Sequence, residues 1–110
     1  MQSGFLTAGG HRLEYRLFPA HQINRPTLVL LHEGLGSVAM WRDFPAQLAA
    51  ATGCRTLVYS RYGYGQSDLL VGPFGTDYMH REGREVLPEV LAALEIGNPV
   101  LVGHSDGASI

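Results

Sequence analysis

The segment Gly103-His104-Ser105-Asp106-Gly107 carries the residue types best suited to chemistry in this chain. A serine with glycine two positions away on either side fits a tight turn between a strand and a helix. In such a turn the central residue is forced into strained backbone angles and its hydroxyl is exposed, and the glycines remove side chains that would collide with both elements. The context agrees: apolar Pro99-Val100-Leu101-Val102 precedes the turn as a strand, and a helix is expected to start after it. The chemistry this implies is nucleophilic attack by Ser105 on a carbonyl carbon. The N–H of Asp106 and the start of the helix would face the developing negative charge.

Two upstream loops end on the same kind of strand. His32-Glu33-Gly34-Leu35-Gly36-Ser37 follows an apolar run, and its glycines let backbone N–H groups approach a substrate oxygen. An oxyanion hole would need one such N–H from this loop beside that of Asp106. Arg61-Tyr62-Gly63-Tyr64-Gly65-Gln66-Ser67-Asp68 follows another apolar run, where ligands of α/β sheets bind. Its two tyrosines are expected to pack rather than bind. His32, Glu33, Arg61 and His104 are the remaining expected pocket residues.

A serine nucleophile needs a general base within hydrogen-bond reach, and that base needs an orienting acid. None of the five histidines qualifies. His104 adjoins Ser105, so its side chain leaves the turn on the other side. His32 ends a strand, where a hydrogen-bonded structural role is expected. His11 and His21 belong to the N-terminal hairpin, and His80 opens a helix remote from the turn.

The elements that must hold these loops can be read from periodicity. A short strand is expected at 5–7 and a turn at Gly9-Gly10. Residues 11–18 alternate, with Leu13, Tyr15 and Leu17 against Arg12, Glu14 and Arg16, as in a half-exposed, edge-like strand. Pro19 ends it, and Arg25-Pro26 closes the following loop. The runs 27–31, 55–59 and 99–102 are continuously apolar, the signature of parallel strands covered on both faces. Between them two helices are expected. One spans 38–52, with Trp41, Phe44, Leu48 and Ala51 inward and Gly53 as its stop. The other spans 77–94, capped by Thr76 or Asp77, with Met79, Val86, Leu87, Val90, Leu91 and Leu94 inward. Pro88 should kink or split that helix near Glu85. The order β-β-β-α-β-α-β predicts an α/β fold: a mostly parallel sheet with helices on both faces and antiparallel N-terminal strands.

Composition narrows the function classes. With 45% hydrophobic and 16% charged residues, the 110-residue chain is of the globular type and large enough for one domain. Its net charge of −2 offers no footprint for nucleic acid or an anionic membrane. All eight basic residues are arginine, so lysine-based phosphate loops and Schiff bases are excluded from this segment. The single Cys54 excludes an internal disulfide and a cysteine metal cluster. The start of the chain does not read as a signal peptide, and a cytoplasmic location is expected. The expected partner is a small-molecule substrate; no metal or cofactor is expected, and the oligomeric state is open.

The three motifs in register, over residues 11–110, resemble the α/β-hydrolase superfamily, within it the esterase, lactonase and C–C hydrolase branch. The resemblance implies Ser105 as nucleophile, Gly34 and Asp106 as oxyanion donors, and the chain order serine, acid, histidine. The acid and histidine are then expected beyond Ile110, with residues 1–110 as the N-terminal portion of a single hydrolase domain, inactive alone. The implied substrates are an ester, thioester, lactone or activated C–C bond of a small molecule. Two departures stand out. Glu33 replaces the family's glycine after histidine, and it is expected to turn from the oxyanion site and pair with Arg61. Ser60 replaces the family's aspartate before the arginine turn. A serine nucleophile also argues against epoxide hydrolysis and dehalogenation, where the family uses aspartate. Two other readings stay open. Gly34-Leu35-Gly36-Ser37-Val38-Ala39 matches an NADP-binding fingerprint of an oxidoreductase, with Ser60-Arg61 placed for a 2′-phosphate. A non-catalytic hydrolase-like binding protein is the other.

Overall fold

The computed structural model describes residues 1–22 and 24–110. Within the loop expected over 19–26, residue 23 lies outside the described residues. Five strands form one sheet: β1 (Gln2–Ala8), β2 (His11–Phe18), β3 (Thr27–Leu31), β4 (Thr56–Tyr59) and β5 (Pro99–Gly103). Their spatial order is β1-β2-β4-β3-β5. The pairs β1/β2 and β2/β4 are antiparallel, whereas β3/β4 and β3/β5 are parallel. The expected mixed α/β sheet is therefore present.

Alternate residues of the central strands feed two cores. Val29, Leu31, Leu57 and Tyr59 join Leu13, Tyr15, Leu87 and Val90 on one face. Leu30 and Val58 join Val38, with Trp41, Leu48 and Val102 packed against them, on the other. Helices thus cover both faces.

Two strand expectations are corrected. β2 is not an edge strand, because β1 pairs along its outer side. Its polar alternation, with Arg12 and Arg16 exposed, reports one wet face rather than an unpaired edge. β5, expected to be covered on both faces, is the edge: Val100 and Leu101 are 44% and 45% exposed.

The first helix is shorter than its pattern. Residues Ala39–Trp41 form a 3₁₀ turn, Arg42 takes a positive φ of 53°, and α1 runs over Phe44–Thr52. Pro45 explains the break: it lacks an N–H and its ring would crowd the carbonyl one turn back, so it sits in the first turn of a new helix. Trp41 and Leu48 pack inward as expected, but Pro45 and Ala49 are buried in place of Phe44 and Ala51, which are exposed. Gly53 does stop the helix, in the left-handed conformation at φ 72°.

The second helical stretch runs through α2 (Tyr78–Arg81), a π turn (Glu82–Val86) and α3 (Leu87–Ala93). Asp77 precedes it without a side-chain cap. The irregularity expected near Glu85 is present as a widened turn rather than a break, in which the Leu87 N–H donates to the Glu82 carbonyl just before Pro88. That five-residue step sets Glu82 one turn below Leu87, and both are buried.

Candidate active site

β5 delivers Ser105 into a turn followed by a 3₁₀ segment, Ser105–Ser109, rather than the α-helix expected. Ser105 has φ 55°, a left-handed conformation rare for a residue with a side chain, and it is exposed. Such a conformation costs on the order of 1–3 kcal/mol and persists only where its surroundings enforce it. The enforcement is visible on both sides. A Cβ on Gly103 would run into the Ala108 backbone, and one on Gly107 would lie 2.6 Å from the His32 carbonyl and closer still to that of Leu31. The His104 N–H donates to the Leu31 carbonyl at 3.0 Å, which clamps the turn to the end of β3.

The loop after β3 meets this turn. A Cβ on Gly34 would come within 3.0 Å of Asp106 Oδ2, so the two expected oxyanion residues are neighbours. Asp106 Oδ1 accepts from an Arg61 terminal nitrogen at 3.2 Å, and the same nitrogen donates to the His32 carbonyl at 2.9 Å. The expected Glu33–Arg61 pair is not formed. Asp106 takes the arginine because Arg61 is buried, 3% exposed, beneath the turn. Glu33 is half-buried at the edge and has no ion pair among the described residues.

His32 is 2% exposed and fully committed. Its Nε2 accepts the Arg61 backbone N–H at 2.9 Å, so the proton resides on Nδ1, which donates to the Glu33 carbonyl at 2.6 Å. Burial dominates its titration and lowers its pKa to about 4, with the Arg61 charge adding to the effect. A neutral histidine with both nitrogens engaged is a framework residue, as its strand-end position suggested. Tyr64 packs edge-on against it, with ring centroids 4.9 Å apart, and Tyr62 stacks on His11 at 3.6 Å. The tyrosine pair therefore packs, as expected. Among the described residues no histidine hydrogen-bonds Ser105.

Three polar residues not expected to act together hold the Arg61 loop. Ser60 Oγ accepts the Val38 N–H and donates to Glu14 Oε2, each at 2.8 Å. The same Glu14 oxygen accepts the Gln66 N–H, and Ser67 Oγ donates to the Ser60 carbonyl at 2.6 Å. Gly65, at φ 53°, admits this cluster, because a Cβ there would overlap the Glu14 carboxylate. Polar alternation on β2 made Glu14 look like a solvated side chain, and only the antiparallel pairing to β4 brings it here.

A cavity of about 290 Å³ lies beside the turn, lined by Glu33, Met40, Trp41, Phe44 and His104 among others. The loop with the dinucleotide-like glycines leads into a short 3₁₀ turn, not the helix N-terminus that a pyrophosphate site requires.

Residues 28–110 match the model of the Alpha/beta hydrolase family. The chain belongs to that family. Among solved structures it is similar to an enol-lactonase from Burkholderia xenovorans, with TM-score 0.76 and 25% identity over 94% of this chain and 38% of that one. A hydrolase from Pseudomonas aeruginosa gives TM-score 0.71 and 28% identity over 92% of this chain and 36% of that one. An epoxide hydrolase from Vigna radiata gives TM-score 0.75 and 22% identity over 97% and 31%. The chain spans about a third of the length of these structures. No curated protein matches it by sequence. No helix among the described residues is long and apolar enough to cross a membrane.

Proposed function

We propose that this chain supplies the nucleophile and oxyanion hole of a serine hydrolase acting on an ester, thioester, lactone or activated C–C bond of a small molecule. The observation that carries the reading is the left-handed Ser105, exposed between two glycines that no side chain can replace. Strain of this kind concentrates at functional sites. Family membership supports hydrolysis in general. The enol-lactonase likeness favours the ester and lactone side of the substrate range. A serine at this position, where epoxide hydrolases and dehalogenases of the family carry aspartate, argues against those two reactions.

In this mechanism Ser105 Oγ attacks the carbonyl carbon as its proton passes to a histidine. The carbonyl oxygen becomes an oxyanion held by the N–H of Asp106 and one from the loop at Gly34. The Asp106 carboxylate would oppose that charge, and its pairing with Arg61 offsets the repulsion. The leaving group departs with the histidine's proton, and water then releases the acyl group. We place the histidine and its acid beyond Ile110, because none of the histidines present is disposed to act on Ser105.

The test is covalent labelling by a fluorophosphonate of the complete protein, with the histidine and acid we place beyond Ile110. Stoichiometric modification at Ser105, lost in Ser105→Ala together with hydrolysis of p-nitrophenyl acetate, is expected. Hydrolysis undiminished in Ser105→Ala would overturn the nucleophile assignment. An unlabelled serine and an inert protein would favour a non-catalytic binding role.

A further inference from the structure

Three buried polar atoms on the helix side of Arg61 lack hydrogen-bond partners: Tyr59 Oη, Arg61 Nε and Glu82 Oε2. They share one place. Tyr59 ends β4, Arg61 follows it, and Glu82 enters from the π turn packed over that strand end. Glu82 is 8% exposed, and its carboxylate is felt electrostatically by both Tyr59 and Arg61. Burying a carboxylate without a partner is costly, and the π turn is what brings it in. A regular helix would present Gly83 one turn below Leu87 instead.

The donors and acceptors are complementary. Arg61 Nε can only donate, an ionised Glu82 can only accept, and the tyrosine hydroxyl does both. Arg61 is fixed at its other end to the His32 carbonyl and Asp106. Its Nη1 donates to Met79 Sδ at 3.6 Å, so Nε alone is left for Glu82, with which Arg61 forms no ion pair among the described residues.

We infer that Glu82 is a positioning residue of the hydrolase site: through Arg61 it holds the Asp106 carboxylate, and with it the Asp106 N–H that faces the oxyanion. This rests on the serine-hydrolase reading. Ionised, Glu82 draws Arg61 taut between two carboxylates; protonated, it leaves Arg61 to Asp106 alone. Burial raises the Glu82 pKa to about 7, the nearby Arg61 charge opposing the rise, so the two states exchange near neutrality. Tyr59 and Arg61 face Glu82 from β4 and its loop. Asp77, Arg81 and Glu85 from the helical stretch, with His11 and Tyr62, line the adjoining cavity of about 430 Å³.

Two measurements on the protein test this. The rate of fluorophosphonate labelling at pH 8, where the general-base histidine is neutral in both proteins, should be about threefold to tenfold lower in Glu82→Gln. The amide resonance of Asp106 should titrate with a midpoint near 7 and become flat in Glu82→Gln. Glu82→Asp, which keeps the charge but withdraws it by one methylene, should retain a titration with a displaced midpoint. His11→Gln should leave the Asp106 titration in place, since the imidazole has no link to Arg61. A labelling rate at pH 8 unchanged in Glu82→Gln, or an Asp106 titration that survives there, overturns the inference. A wild-type protein that never labels defeats the nucleophile reading instead, and the amide titration still decides the role of Glu82.

Discussion

The two ends of Arg61 meet opposite environments. On the sheet-edge side its terminal nitrogen serves the His32 carbonyl and Asp106, and His32 is satisfied at both ring nitrogens. On the helix side Nη1 reaches only the Met79 thioether at 3.6 Å, and Nε, Tyr59 Oη and Glu82 Oε2 have no partner. Satisfied buried networks fix a single geometry, whereas unsatisfied ones store cost and respond to protonation. The first end therefore behaves as framework, and the second is where the site can be tuned.

Removing the link breaks both ends together. Arg61→Met leaves Asp106 and the His32 carbonyl without their donor. Breaking a buried pair costs about 3–5 kcal/mol, and the one-third exposure of Asp106 places the expected loss at about 3–4 kcal/mol. Urea unfolding measures it directly. A loss below about 1 kcal/mol would mean that the arginine is not structural.

The framework end has a pH signature of its own. His32 is neutral when folded, with a pKa of about 4, and titrates near 6.5 when unfolded. The unfolded chain therefore binds the extra proton, so this contribution is complete above about pH 6.5 and is lost as pH falls through 4. Its size is about 3 kcal/mol. His32→Gln should be less stable at pH 7 and should flatten the fall in stability between pH 6.5 and 4. A parallel pair of pH curves would contradict the neutral, doubly bonded imidazole.

The tunable end carries the reverse sign. Glu82 is held protonated in the fold up to about pH 7, while the unfolded carboxyl ionises near 4.5. Stability from this group is thus present below 4.5 and declines as pH rises to 7. Glu82→Gln should relieve the decline, gaining about 2–3 kcal/mol at pH 8 and nothing at pH 4. A variant that melts higher yet labels more slowly separates positioning from packing, because loss of structure cannot raise stability.

That contrast also marks what the sequence makes legible. Continuous apolar runs gave β3 and β4, and the Ser105 turn was readable because glycine spacing reports a steric demand local to a few residues. The pairing of Arg61 was not readable. Glu33 and Asp106 are both acidic residues on neighbouring loops, and only the depth of Arg61 beneath the turn selects Asp106. Glu82 was hidden for a related reason. Helical periodicity assigns it to a polar face, and it turns inward only through the π turn, of which Pro88 was the sole trace. Glu14 needed the β2/β4 register, a long-range fact.

The smallest effect tests the corrected pairing. If Glu33 held Arg61, Glu33→Gln would cost as much as breaking any half-buried ion pair and would release Asp106. With Asp106 as the partner, the carboxylate of Glu33 touches nothing that needs its charge, and the change should move unfolding by no more than about 0.5 kcal/mol. Its carbonyl, which accepts from His32 Nδ1 and from the Gly36 N–H at 2.9 Å, is untouched by the substitution. Glu33 does line the cavity beside Ser105, so its charge acts on what enters there. Labelling by a neutral fluorophosphonate should be unchanged in Glu33→Gln, whereas hydrolysis of an anionic ester should rise as the repulsion is removed. A stability loss above 1 kcal/mol would restore Glu33 to Arg61 and remove Asp106 from the link between Glu82 and the turn.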